Sequence, residues 1–205
     1  MAPIETEVKF HITDAGAVKQ RILDLGAVSG GRVFESNATY EDEAVSLKPR
    51  GMLLRLRRTA VRNTLTLKAP APEASSEYKV VTEVETQITD PDALHTILEM
   101  LGYTVWRGYE KWRETFTLAT VEFCLDSMPF GDFLEIEGPG EQIKDLAEQL
   151  KLDWSRRILI NYYGIFDVIR SQMALPFNNI TFDRFKGIDV DWSTTADLIE
   201  AGAVR

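Results

Sequence analysis

The chain has 205 residues, 44% of them hydrophobic and 27% charged, which suits one folded domain or at most two small ones and excludes a disordered chain. Lys and Arg number 23 against 32 Asp and Glu, a formal charge of -9. That balance argues against a protein that grips duplex nucleic acid on an open basic face.

Residues 1–9 carry charge early and no apolar stretch, so no secretory signal is expected. No apolar run reaches membrane-spanning length, and a cytoplasmic location is the expectation. Residues 4–12 alternate and read as a strand, after which Asp14 caps a helix running to about Leu25 and stopped by Gly26. The turn Lys48-Pro49-Arg50-Gly51 introduces strands over 52–58 and 64–68, and Ala69-Pro70-Ala71-Pro72 separates these from a strand over 80–88. Asp90-Pro91 opens a second helix with Leu94, Ile97, Leu98 and Leu101 on one stripe, ended by Gly102. Strands over 113–117, 120–125 and 132–137 follow. A third helix covers 141–150, with Ile143, Leu146, Ala147 and Leu150 at helical spacing, and a fourth covers 158–173. Residues 171–205 are less periodic, with Pro176, Asn178-Asn179 and a short helix over 194–201. The segments around Glu5–Lys9 and Glu83–Glu85 each precede a helix ending in Leu-Gly, a weak internal duplication. The pattern is an antiparallel α+β domain.

Charge alternates in these strands as regularly as hydrophobicity. Glu5, Glu7 and Lys9 share one face of their strand while Val8 and Phe10 take the other. Arg55 and Arg57 oppose Leu54 and Leu56, and Thr66 and Lys68 oppose Leu65 and Leu67. Glu83 with Glu85, Lys111 with Arg113, and Glu135 with Glu137 repeat the pattern. A single such pair is an ordinary solvated face. In this many strands, with amphipathic helices to pack on the apolar faces, a curved sheet puts the charges on a concave face lining a pocket or tunnel. Enclosed charges persist only when paired, hydrated or neutralised by a ligand. A polyanion carrying divalent cations suits such a lining, because guanidinium groups match phosphate oxygens and carboxylates hold Mg²⁺ or Mn²⁺. The two histidines, His11 and His95, and the one cysteine leave neither a histidine-rich metal site nor a disulfide framework. Cys124 reads as a buried small hydrophobe. Trp106, Trp112, Trp154 and Trp192 read as packing residues.

Glu5-Thr6-Glu7-Val8-Lys9 is an ExExK pattern, and further motifs follow it in a definite order. They are residues 34–42, Gly51-Met52-Leu53-Leu54-Arg55-Leu56-Arg57, Leu65-Thr66-Leu67-Lys68, Glu83-Val84-Glu85, Lys111-Trp112-Arg113, Leu125-Asp126, residues 131–137 and Asn161-Tyr162-Tyr163. Taken together they resemble the CYTH superfamily, the triphosphate tunnel metalloenzymes, over residues 1 to about 170. The chain departs from the family pattern at Ala38 with Asn37 beside it, where many members carry Asp ahead of the Tyr, and at Asn161-Tyr162, where Ser-Tyr is usual.

The resemblance implies an α+β fold built as an eight-stranded antiparallel β-barrel, a tunnel with helices packed outside. It implies a tunnel domain over 1–170 and a C-terminal extension over 171–205. Arg55, Arg57, Lys68, Lys111, Arg113 and Arg157 would clamp phosphate oxygens, and Glu5, Glu7, Asp126, Glu135 and Glu137 would hold Mg²⁺ or Mn²⁺. Glu83 and Glu85 would support the site, the alternative being that they only orient basic residues through ion pairs. Lys9 with Tyr40 is the implied catalytic pair, and a plain Lys9–Glu7 ion pair is the other reading.

The leading functional expectation is metal-dependent hydrolysis of inorganic tripolyphosphate, thiamine triphosphate or a nucleoside triphosphate. The runner-up is a class IV adenylyl cyclase, and the third reading is a polyphosphate- or nucleotide-binding module without catalysis. The expected partner is a small-molecule triphosphate rather than nucleic acid or membrane, with the chain a monomer or homodimer.

Overall fold

Alternation at period two gives each strand one apolar and one charged face, and eight strands close into a ring that separates them. The computed structural model describes residues 3–200. The strands are β1 (Ile4–Ile12), β2 (Val28–Asp42), β3 (Leu53–Arg58), β4 (Asn63–Pro70), β5 (Lys79–Ile88), β6 (Tyr103–Leu118), β7 (Val121–Met128) and β8 (Gly131–Glu137). Their order around the ring is β1-β5-β4-β3-β2-β6-β7-β8, every pairing antiparallel, and β8 returns to β1 through Glu7↔Glu137, Lys9↔Glu135 and His11↔Phe133.

Among the described residues five helices pack against the ring: α1 (Ala15–Asp24), α2 (Pro91–Met100), α3 (Gly140–Gln149), α4 (Tyr162–Met173) and α5 (Trp192–Ile199). Val8, Phe10, Phe116, Phe123, Leu134 and Ile136 form one core with Val18 and Ile22 of α1 and Ile143 and Ala147 of α3. Each such buried Val, Leu, Ile or Phe side chain contributes about 1.5–3 kcal/mol. Beneath α2, Leu98 packs on Tyr40 and Leu56. A third cluster joins Phe130 and Phe133 to Tyr162, Ile165, Phe166 and Ile169 of α4 and to Ile180, Phe185 and Ile199. Phe133 lies on the same strand face as Glu135, so this aromatic cluster fills one end of the ring; Phe133 meets Tyr162 edge-on with ring centroids 5.4 Å apart.

Two lengths of ladder are patched by single residues. β5 pairs with β1 only from Ile4 to Glu7, and beyond it Ile158 bonds to Lys9, with Ile158 N–H donating to the Lys9 carbonyl at 2.7 Å. β7 leaves β6 at Trp112, and Ile180 takes the free edge, its N–H bonding Gly108 O at 2.9 Å and its carbonyl accepting from Glu110 N at 2.8 Å.

The alternation in residues 28–42 is broken by Gly30-Gly31 and by Ser and Asn, so β2 is not visible as a strand in the spacing; pairing with β6 along its length makes it one. β6 begins at Tyr103, ten residues before the expected start, for the same reason. The fourth helix begins at Tyr162, not at Ile158, because Asn161 caps it by accepting from Gly164 N at 2.9 Å. Nor does packing divide at residue 170: Ile180, Phe185 and Ile199 share a core with α4, while residues 201–205, including the expected helix end Ala201, lie outside the described residues. Among the described residues no helix is long and apolar enough to cross a membrane.

Because Ile180 is fully buried as well as bonded to β6, Ile180→Ala is expected to lower the unfolding free energy of the whole domain by about 2–4 kcal/mol in urea titrations. Leu198→Ala, at a 51% exposed position, should stay within about 0.5 kcal/mol of the parent. An independent extension would leave the main transition unchanged in both variants.

Candidate active site in the ring

The ring encloses a cavity of about 540 Å³ lined by eight Lys and Arg and seven Glu side chains. An interior that is nearly balanced in a chain of charge -9 places the acidic surplus on the outside. Seven of the eight strands contribute through their inward alternation: Glu5, Glu7 and Lys9 from β1, Arg55 and Arg57 from β3, Lys68 from β4, Glu83 and Glu85 from β5, Lys111 and Arg113 from β6, Glu122 from β7, and Glu135 and Glu137 from β8. The sequence-derived clamp, except Arg157, is therefore brought together.

Pairing makes this burial tolerable. Asp126 is completely buried; Lys111 Nζ donates to it at 2.9 Å, Arg113 Nε at 2.6 Å and Tyr162 Oη at 2.7 Å. Both of its oxygens are engaged by these donors, so in this arrangement Asp126 anchors the basic residues. Glu135 is likewise claimed, bonding Lys9 and Arg113 at once. Burial pushes the Glu135 carboxyl up, but Lys9, Arg113 and Lys111 outweigh it and hold it well below the usual range. The Lys9 ammonium is disfavoured by burial, yet Glu135 and Glu7 hold it above its ordinary value. It also sits 4.3 Å from the centre of the Tyr162 ring.

On the opposite wall Lys68 bonds both oxygens of Glu5 at 2.8 Å and also pairs with Glu83. Lys79 donates to Glu7 at 2.7 Å. Arg55 donates to Tyr109 Oη at 3.0 Å and to Thr66 at 3.1 Å, with Glu85 at 3.4 Å. Glu83 and Glu85 thus do orient basic residues. Arg57 differs: its one ion-pair partner among the described residues is Glu35 at 3.4 Å, and its guanidinium makes no hydrogen bond there. Burial raises the Glu35 carboxyl, but Lys111, Arg113, Arg57 and Arg55 bring it down to about 2.

Glu137 is the counter-case. Burial and then the neighbouring Glu5, Glu7 and Glu122 carboxylates push it up to about 8. Glu7 and Glu122 are its cross-strand partners. Among the described residues no three Asp, Glu, His or Cys side chains already converge as a metal site. The donor chemistry nevertheless fits a hard cation, since an all-carboxylate group that keeps one member protonated is relieved by a divalent ion. Glu5, Glu7 and Glu137 are the residues that would hold it.

Two expected residues lie elsewhere. Tyr40 points out of the ring, its hydroxyl 2.9 Å from His95 Nδ1 and its ring in the cluster under α2. Neighbouring Thr39 is the residue turned inward, hydrogen-bonded to the Arg107 carbonyl at 3.0 Å and 3.4 Å from Tyr163 Oη. The Lys9–Tyr40 pair does not form, and the aromatic beside Lys9 is Tyr162. Arg157 donates to the Glu77 and Trp154 carbonyls at 3.0 Å and to Ser76 O at 3.3 Å, over the Trp154 ring, and so clasps the loop before β5 outside the cavity. The residues sequence reasoning passed over are Tyr109, Tyr162, Lys79 and Glu35. Tyr162 stood in a motif without a role; Lys79 extends the Glu83–Glu85 alternation by two steps; Glu35 requires β2 to be seen as a strand.

An antiparallel ring closed around interleaved Arg, Lys and Glu side chains is a charged β-tunnel. The CYTH domain model matches residues 3–188, and the chain belongs to the CYTH family. A solved structure from Vibrio parahaemolyticus, described as an adenylate cyclase candidate, is similar with TM-score 0.72 and 23% identity, covering 82% of this chain and 99% of that one. The PH1012 protein of Pyrococcus horikoshii is similar with TM-score 0.67 and 26% identity, covering 77% and 96%. A Hippeastrum protein, described as an adenylyl cyclase candidate with a dominant triphosphatase activity, has TM-score 0.60 and 19% identity over 86% and 98%. Comparison with curated protein sequences gave no match. Members of the family are triphosphatases or adenylyl cyclases and are generally divalent-metal dependent, which supports an enzymatic role.

Glu137 binds its proton more tightly folded than unfolded, so its contribution to stability is full below the ordinary value of 4.5 and is lost as pH rises through about 8. Melting temperatures across that window are expected to fall with pH in the parent and to fall less in Glu137→Gln. Identical slopes would reject the carboxylate crowding.

Proposed function

We infer that this chain hydrolyses a triphosphate bound inside the tunnel, in a reaction dependent on Mg²⁺ or Mn²⁺. The observation that carries the reading is the enclosed cavity of about 540 Å³ in which arginines and lysines stand among crowded carboxylates, one of which, Glu137, has no ion-pair partner among the described residues. Phosphoryl transfer needs chiefly positioning and neutralisation of charge, and this lining suits both. Arg57, with its donors uncommitted, docks a phosphate first. Arg55, Lys68, Lys111 and Arg113 then engage the remaining oxygens, their heads aimed by Glu85, Glu83 and Asp126. Glu5, Glu7 and Glu137 would hold a divalent ion, which when bound would neutralise further phosphate charge. Lys9, fixed between Glu135 and the Tyr162 ring, orients the terminal phosphoryl group or the attacking water. Water attacks the terminal phosphorus, the bond to the bridging oxygen breaks, and inorganic phosphate and the shortened chain leave. The acidic exterior supports a small anion captured inside over a nucleic acid held outside. The triphosphatase activity ascribed to the Hippeastrum protein agrees with this reading.

Cyclisation of ATP is the second reading, and one feature favours it. A side cavity of about 260 Å³ shares Leu53, Asn161 and Tyr163 with the tunnel and is lined by Tyr40, Met52 and Trp106, apolar surface suited to an aromatic base.

Purified protein with Mg²⁺ or Mn²⁺ should release phosphate from tripolyphosphate, thiamine triphosphate or ATP when products are resolved chromatographically. Cyclic AMP with pyrophosphate would move the assignment to the cyclase, and tight binding without any product would leave a binding module. Lys9→Ala and Glu7→Ala should each cut turnover by roughly hundredfold or more while circular dichroism shows a retained fold; parental rates in both would remove these residues from the chemistry.

A further inference from the structure

Tyr109 belongs to no motif, yet it occupies the middle of the basic wall. Its side chain is buried, lines the tunnel cavity and receives a hydrogen bond from Arg55 Nη1 at 3.0 Å. That bond uses an oxygen lone pair and leaves the phenolic proton without an acceptor among the described residues. The backbone around it is tightly held, since Gly108 and Glu110 are both bonded to Ile180 and Asn37 is its cross-strand partner on β2. Its ring meets Tyr163 of α4 edge-on at 5.4 Å. The hydroxyl therefore has a fixed place and a free donor.

We propose that Tyr109 is a phosphate-contacting residue whose hydroxyl, held as an acceptor by Arg55, donates to an anionic phosphate oxygen drawn in by Arg55, Arg57 and Lys111. This rests on the reading of the tunnel as a triphosphate site and extends it to a neutral donor. The groups facing the phenol are Arg55 and Arg57 from β3, Lys111 from β6, Glu35 from β2 and Tyr163 from α4. Burial alone raises the phenol, but Arg55, Lys111 and Arg57 outweigh it and the opposing Glu35, and hold it below the ordinary value of 10.0. A hydroxyl so polarised by cations is a strong donor to an anion. Burial instead raises Tyr40, Tyr78, Tyr162 and Tyr163, which gives Tyr109 a signature distinct from theirs.

The test uses the full chain with inorganic tripolyphosphate in chelator, so that no turnover occurs. Ultraviolet absorbance should reveal one phenol titrating below the ordinary range in the parent and in Tyr163→Phe, and absent in Tyr109→Phe. Saturating tripolyphosphate should shift that titration upward, because an anion accepting the hydroxyl proton disfavours the phenolate. By calorimetry Tyr109→Phe should bind tripolyphosphate roughly tenfold more weakly, with an unchanged melting temperature establishing that the variant is folded. A titration that ligand does not move, or equal affinity in a folded Tyr109→Phe, overturns the proposal while leaving the triphosphate reading intact. Failure of the parent to bind tripolyphosphate overturns both. If Tyr109→Phe does not fold, the ligand-induced shift in the parent decides alone.

Discussion

A carboxylate sealed from solvent, Asp126, gathers Lys111, Arg113 and Tyr162, and the geometry of the tunnel depends on that junction. Two cations buried on one wall of a ring are strongly unfavourable unless an anion meets them with good geometry. Removing one partner of such a group typically costs about 3–5 kcal/mol, because the remaining charge stays buried. Asp126 also reaches across structure, tying β6 and β7 to the first residue of α4. Through Tyr162 the same junction touches Lys9, so the helix that fills one end of the ring also fixes the residue best placed for chemistry.

The interior is consequently a prearranged charge lattice. Arg113 joins Asp126 to Glu135, Glu135 joins Arg113 to Lys9, and Lys68 joins Glu5 to Glu83. Such networks resist reorganisation, which suits a reaction whose barrier falls through positioned charge. Two departures from full pairing bear on function. Arg57 has donors to spare, and Glu137 has carboxylate neighbours and too little positive charge. One asks for an anion and the other for a cation, and the metal-bound triphosphate proposed for the tunnel would satisfy both.

The C-terminal third completes this arrangement. Ile158 closes the β1 edge at Lys9, and Ile180 closes the β6 edge at Tyr109. Both inward side chains therefore project from backbone held by segments far along the chain, and the apolar cluster around Phe166 keeps those segments in place. The packing of that cluster therefore supports the positions of both side chains.

Charged alternation in Glu5-Thr6-Glu7-Val8-Lys9, Leu54-Arg55-Leu56-Arg57 and Leu134-Glu135-Ile136-Glu137 was enough to place those residues on common faces, because a strand's side-chain period is two. Helix caps at Asp14 and Asp90 were equally legible, being local. Alternation does not say which charges on different strands meet. Ring closure decided that Asp126 meets Lys111 and Arg113, and that Arg157 ends on backbone carbonyls outside the cavity. A shift of register between Thr39 and Tyr40 accompanies the outward aim of Tyr40 toward His95, a one-residue phase that no spacing reveals. The chain alone determined which faces are charged; only the closed ring determined which of those charges neutralise one another and which are left for a ligand, because that depends on cross-strand neighbours set by closure.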